Sequence, residues 1–221
     1  SESDTSMNST IFSAKEDKQE IIRPLPRNSH SAVVMENKMV IFGGANSETG
    51  PMNDAWAFDL NLHIWERIEY PTNMVPEKRE MHTACVLGSN SCCRTSSCMY
   101  LVGGRREDGE VCQDLWVLDS ANFEWNKLAS PPSPRCSHGT VMVPKYEYLC
   151  CFGGWDGKGT IYNDLVVFDL KSGNWKEIHL SDNPQQRFGH TCCNRGEDGF
   201  VIFGGVNMNS DLNDLHIIST V

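Results

Sequence analysis

Residues 151–175 read CFGGWDGKGTIYNDLVVFDLKSGNW: a glycine pair, a turn-rich loop, an Asn-Asp step, an apolar run and a tryptophan, in that order. The same order recurs along the chain. Gly43-Gly44 leads to Asn53-Asp54, the run AWAFDL and Trp65; Gly103-Gly104 leads to Gln113-Asp114, LWVLD and Trp125; Gly153-Gly154 leads to Asn163-Asp164, LVVFDL and Trp175. In all three the tryptophan stands 21 positions after the second glycine. A fourth copy begins with Gly204-Gly205 and Asn213-Asp214, continues into LHIIS and stops at Val221, before a tryptophan. Ahead of each glycine pair stands an arginine three residues before a histidine: Arg27 and His30, Arg79 and His82, Arg135 and His138, Arg187 and His190. A unit of about 50 residues met four times is a repeat architecture.

Each copy carries four short apolar or alternating runs, such as HSAVVM, KMVIFGG, DAWAFDL and WERIE, separated by Gly, Asn, Asp, Pro and Ser. That spacing is strand-like, and no amphipathic segment reaches helix length. Val, Ile, Phe, Tyr and Trp fill the runs and suit a pleated, half-buried surface. The pattern predicts an all-β protein of four-stranded antiparallel blades, a β-propeller, with the last repeat incomplete. The expected blades cover about 27–70, 79–129, 135–180 and 187–221, preceded by a mobile polar lead-in over 1–22. Ile11-Phe12, or the segment from Glu20 to Arg23, is a candidate fourth strand for the last blade.

With four copies of Arg-x-x-His, Gly-Gly, Asp and Trp from about Arg23 to Val221, the chain resembles the kelch-repeat proteins. It is closer to the free-standing ones, with a Pro-Arg-x-x-His entry, than to those joined to a BTB domain. The resemblance implies a kelch-type propeller with the glycine pair closing the second strand and the tryptophan in the fourth. It also implies that partner contacts come from the loops joining strands two and three and from the segments entering each blade. Propellers of this family usually have more than four blades, so a longer protein, a second chain or a homo-oligomer is expected to complete the ring.

The repeated residues also have a reading of their own. Adjacent glycines at a strand end allow positive φ and close backbone approach. The aspartates Asp54, Asp114, Asp164 and Asp214 are expected to hold backbone amides where the next strand starts. The tryptophans supply apolar surface between sheets, each N–H seeking one acceptor. The Arg and His pairs are expected to satisfy buried backbone groups at the entry to each first strand.

Four histidines, one per blade, also raise a metal-dependent enzyme with a site in the central channel as the alternative function. Equivalent positions on separate blades scatter around a ring, whereas a metal needs its ligands within about 2.0–2.3 Å, so no metal or cofactor is expected. The segment GGWDGKGT is no phosphate loop, because Gly159 follows Lys158 where a Walker loop has Ser or Thr, and a strand follows where a helix is needed. No G-x-S-x-G or H-E-x-x-H signature occurs.

The formal charge is −10, from 19 basic and 29 acidic residues. That balance disfavours nucleic acid and anionic membranes and suits a basic or polar peptide partner. No apolar signal segment opens the sequence, so the ten cysteines read as reduced thiols and the compartment as cytoplasm or nucleus. Cys150-Cys151 and Cys192-Cys193 are expected to be buried in or beside strands. Cys92, Cys93 and Cys98 are assigned to an insertion between the first two strands of the second repeat, where His82 to Gly103 spans 21 positions; it reads as a flexible, redox-sensitive hairpin, with zinc the weaker option.

The loops ANSETGPMN, RREDGEVCQ, WDGKGTIYN and VNMNSDLN differ strongly while the strands around them stay alike. A common scaffold displaying varied surfaces gives that contrast. The candidate partner-binding residues are Met52, Arg105, Arg106, Trp155, Asp156, Lys158, Tyr162 and Met208, since Arg, Trp and Tyr dominate binding hot spots and Met adapts to irregular surfaces. The expected function is a non-enzymatic protein-interaction module, a scaffold or a substrate-recognition subunit.

Overall fold

The computed structural model describes residues 22–88 and 96–219. Nearly all of the expected lead-in, the Ile11-Phe12 candidate strand, and Cys92 and Cys93 lie outside the described residues. Blade 1 is built from β1 (Ser31–Met35), β2 (Lys38–Phe42), β5 (Ala55–Asp59) and β6 (Trp65–Ile68), with a two-residue pair, β3 (Ala45–Asn46) and β4 (Gly50–Pro51), in its loop. Blade 2 holds β7 (Thr83–Leu87), β8 (Cys98–Val102), β9 (Leu115–Asp119) and β10 (Trp125–Leu128). Blade 3 holds β11 (Gly139–Val143), β12 (Tyr148–Phe152), β13 (Leu165–Asp169) and β14 (Asn174–Ile178). Among the described residues blade 4 has three strands, β15 (Thr191–Asn194), β16 (Gly199–Phe203) and β17 (Leu215–Ser219). Every pairing within a blade is antiparallel between sequence neighbours. Among the described residues the fold is a β-propeller of four blades.

Cys98 departs from the expectation. It opens β8, opposite Asp119, and is buried, so it belongs to the strand and not to the insertion.

Strand alternation gives each blade two apolar faces, because successive side chains point to opposite sides of a sheet. One face of blade 1 (Met35, Val40, Phe42, Ala55, Ala57, Ile68) meets Met99, Leu101, Trp116, Leu118 and Trp125 of blade 2. The other face of blade 2 (Leu87, Tyr100, Val102, Leu115) meets Met142, Leu149, Val166 and Phe168 of blade 3. Blade 3 in turn covers Phe200 and Ile202 of blade 4. Burying side chains of this size contributes about 1.5–3 kcal/mol each.

Trp125 is the largest fully buried side chain and lies edge-on to Phe42, ring centroids 5.1 Å apart. Its indole N–H lacks a well-aligned acceptor, whereas Trp175 Nε1 donates to the Ala129 carbonyl at 2.7 Å. Trp65, in blade 1, is only partly covered, because its side of that blade has no described neighbour.

The first strands stand side by side in the order β1, β7, β11, β15, and no comparable approach links β15 back to β1. Among the described residues the four blades form an open arc.

Candidate partner-binding face

Each blade entry is fixed by one arginine. Arg79 donates to both carboxylate oxygens of Asp114, at 2.7 and 2.8 Å, and to the Gly103 carbonyl at 2.8 Å. Arg27 does the same with Asp54 and Gly43, Arg135 with Asp164 and Gly153, and Arg187 with Asp214 and Gly204. The bidentate fork is the strong form of a charge-assisted bond. The aspartates therefore face arginine in the first place, where the sequence reading expected backbone amides. Asp54 and Asp114 also accept the indole N–H of Trp56 and Trp116 at 2.7 Å, and Asp214 pairs His216 at 2.8 Å in that role.

Burial works against ionisation of Asp114, yet its bonds to Arg79 and Trp116 hold its pKa below the usual range. The Arg187 hydrogen bond does the same for Asp214, against burial.

The glycine pair lets the next blade come close. Gly103 and Gly104 have φ of +57° and +103°, and a Cβ on Gly103 would stand 2.2 Å from the Arg135 carbonyl oxygen. Three backbone bonds then cross every junction. Between blades 1 and 2, Arg79 N–H donates to Met52 O, Gly44 N–H to Arg79 O, and Met81 N–H to Ser29 O, at 2.9–3.0 Å. Between blades 2 and 3 the donors are Arg135, Gly104 and Ser137; between blades 3 and 4 they are Arg187, Gly154 and Gly189.

A fourth, side-chain bond is added twice. His82 Nε2 meets the Ser31 hydroxyl at 3.0 Å, and His138 Nε2 meets the Thr83 hydroxyl at 2.7 Å. At the third junction the matching position is Gly139, and His190 has no side-chain partner. Burial, with the nearby arginine of the same entry, pushes His82 down to about 3 and His190 down to about 4. These imidazoles are spread one per blade, and among the described residues no group of three or more His, Cys, Asp or Glu is placed to hold a metal ion.

The loops between the second and third strands rise from this lattice on the side of the blade entries. Each is a small hairpin whose outgoing arm pairs with its own entry: Ala45 with Asn28, Arg105 with Glu80, Trp155 with Cys136, Val206 with Phe188. The return arm carries the carbonyl that receives the next arginine's N–H, as with Met52 and Arg79. Backbone therefore ties each loop of blades 1 to 3 to two blade entries, and the loop of blade 4 to its own, while the side chains are left to vary.

Of the candidate residues, Met52 is buried, and Tyr162 lies 4.7 Å beneath the Arg135 guanidinium. Trp155 is partly covered beside Phe188, ring centroids 6.4 Å apart. The Asp156 carboxylate accepts the Lys158 and Thr160 amides, at 2.7 and 2.8 Å, and shapes its own loop. Arg105 pairs with Glu80 at 2.6 Å; Arg106 pairs with Glu77 and Asp108; Lys158 reaches Glu110 of the neighbouring loop at 3.4 Å. Met208 is 68% exposed. An open groove of about 460 Å³ runs between Glu77, Lys78, Arg106, Glu107 and Asp108, with more acidic than basic groups on its walls.

The thiols are placed for packing. Cys150 and Cys151 are buried in β12, and burial raises them to about 12 and about 11. Cys193 is exposed on β15, against the expectation of burial, because its side of blade 4 is uncovered.

A propeller whose blades are locked by Arg–Asp pairs and glycine pairs, with variable hairpins on one end, defines a kelch-repeat propeller. The chain belongs to the family described as the KLHDC2/KLHL20/DRC7 Kelch-repeats domain, whose model matches residues 5–93 and 89–221. It is 30% identical to human Kelch domain-containing protein 3 over 206 residues, 87% of this chain and 51% of that protein. It is also 30% identical to Acyl-CoA-binding domain-containing protein 4 of Arabidopsis thaliana, over 89% of this chain and 30% of that protein, and 28% identical to Adagio protein 3 of the same plant, over 84% and 29%. The chain thus spans about half, or less, of the length of these relatives. Kelch-repeat propellers are, as a family, protein-interaction modules.

Proposed function

We propose that this chain is a non-enzymatic module that presents its inter-strand hairpins to a basic peptide segment of a partner protein, as a scaffold or substrate-recognition subunit. The observation that carries the reading is the division of labour in the loops. The backbone of the first three is tied to two blade entries each and that of the fourth to its own, and their side chains differ from blade to blade. A rigid base with variable tips is what recognition loops require. The acidic balance of the chain, and of the groove at Glu77, Glu107 and Asp108, favours a partner rich in Lys and Arg.

Selection from a random peptide library on the immobilised protein tests this. The expected result is enrichment of Lys- and Arg-rich peptides whose binding weakens as salt rises. Binding should fall at least tenfold for a Glu107→Lys, Glu110→Lys, Met208→Lys variant that keeps its thermal midpoint. No enrichment, or equal binding by the folded variant, would sink the proposal.

A further inference from the structure

Blade 3 is entered differently from the others. In blades 1, 2 and 4 the arginine Nε–H donates to the carbonyl two residues back, Leu25 O, Glu77 O and Gln185 O, at 3.0–3.1 Å. In blade 3 the residue two back is Ser133, and Arg135 offers it a different donor: Nη2 donates to the Ser133 hydroxyl at 2.6 Å. The Arg135 Nε–H is left buried with no acceptor, in a side chain that is 0% exposed. A guanidinium has five N–H donors. Nη1 reaches Gly153 O and Asp164 Oδ1, and Nη2 reaches Asp164 Oδ2 and Ser133 Oγ, so four are used and the fifth is an orphan. Asp164 holds the Nη1–Nη2 edge, while the orphan and the Ser133 bond share the Nε–Nη2 edge.

Ser133 lies in the connector between the end of β10 and the blade 3 entry, residues 129–134, which read ASPPSP. Its prolines supply no N–H, and none of these residues makes a backbone–backbone hydrogen bond among the described residues. Side chains hold the connector instead: Gln113 Nε2 donates to Pro131 O at 2.9 Å, and Trp175 Nε1 to Ala129 O. A surface segment with so few backbone bonds opens locally at low cost. Ser133 is itself partly exposed and stands directly before Pro134, the dipeptide that proline-directed kinases require.

We infer that Ser133 is a phosphorylation site whose phosphate clamps the connector onto Arg135. In the active site of a proline-directed kinase, Ser133 Oγ attacks the γ-phosphorus of ATP. The Oγ–P bond forms, the bond to the ADP oxygen breaks, ADP leaves, and the hydroxyl proton passes to the kinase's base. The phosphoserine carries about −1.5 to −2 charges and three acceptor oxygens. Two of them meet the Nε–H and Nη2–H edge in the bidentate form that guanidinium and phosphate favour, and the orphan donor is satisfied. Asp164 keeps its own edge, so the lock of the blade is retained. The same guanidinium lies over Tyr162 of the blade 3 hairpin, so the modification acts at the base of that loop. The device belongs to blade 3 alone, because the other entries have Leu25, Glu77 and Gln185 in place of the serine.

The test incubates the folded 221-residue chain with a proline-directed kinase, magnesium and ATP, and reads the sites by peptide mass spectrometry. Ser133 should be phosphorylated, and Ser133→Ala should lose that phosphate. Ser130, exposed and also followed by a proline, is the control. In a Ser130→Ala chain, phosphate on Ser133 should raise the thermal midpoint by about 2–4 °C and move the Arg135 Nε–H proton resonance downfield. In a Ser133→Ala chain, phosphate on Ser130 should do neither. A folded chain that takes no phosphate on Ser133, or takes it only once unfolded in urea, overturns the inference. So does a Ser133 phosphate that lowers the midpoint or leaves the Arg135 resonance where it was.

Discussion

Between blades 1 and 2 the His82 ring rests on the Ser31 hydroxyl, and between blades 3 and 4 the His190 ring has no hydroxyl to rest on. Gly139 stands where the hydroxyl would be, and Cys192 fills the vacated space: a Cβ on Gly139 would lie 2.1 Å from the Cys192 sulfur. The three backbone bonds are nevertheless present at both junctions. The comparison separates what every junction must have from what a junction can do without. Arginine, aspartate and the glycine pair belong to the first group; the histidine-hydroxyl bond belongs to the second.

The largest expected effect comes from breaking the common part. Asp114→Ala strands a fully buried Arg79 and should cost about 3–5 kcal/mol in urea unfolding. Asp214→Ala, in a pair whose carboxylate side chain is 36% exposed, should cost clearly less. A similar contrast holds for Trp125→Ala, at about 3–5 kcal/mol, against the partly covered Trp65. Equal losses at the two tryptophans would show that Trp65 is covered in solution.

Smaller effects address the dispensable part. Gly139→Ala should destabilise by about 1–3 kcal/mol through overpacking, and Cys192→Ala in the same chain should recover most of it. Thr83→Val deprives His138 of its partner and should cost about 1–3 kcal/mol, while Thr191→Val should change stability by less than about 0.5 kcal/mol. The gentlest effect is a pH slope. His190 stays neutral in the fold down to about 4, whereas an unfolded histidine takes a proton below 6.5. The unfolded chain binds more protons in that window, so the thermal midpoint should fall as pH drops from 6.5 towards 4. His190→Asn should lessen the slope, leaving the share that the buried His82 and His138 contribute.

The blades were readable because glycine pairs, apolar runs and tryptophans recur at fixed spacing and each has a local physical meaning. The Arg–Asp partnership was not read, although both residues recur once per repeat with opposite charge. The partners are 27–35 residues apart, and only the closure of a blade brings them together. Arg135 and Tyr162 show the same limit at the candidate site. Their contact is a product of tertiary packing, so Tyr162 looks like a display residue in the sequence and stands beneath a guanidinium in the fold. The distinction between covered and open blade faces lay beyond local pattern as well. Phe152 and Phe203 occupy the same place in the repeat and differ only in having a neighbour.

The double tether of the loop hairpins has an evolutionary side. The bonds that anchor each hairpin come from main-chain atoms, which almost any residue supplies, so mutation can rewrite the tips without loosening the base. Transplanting one whole hairpin into another blade should then carry its specificity along while leaving the recipient's folding energy nearly untouched. A lineage could explore new partners one blade at a time, with the blades themselves under no pressure to change.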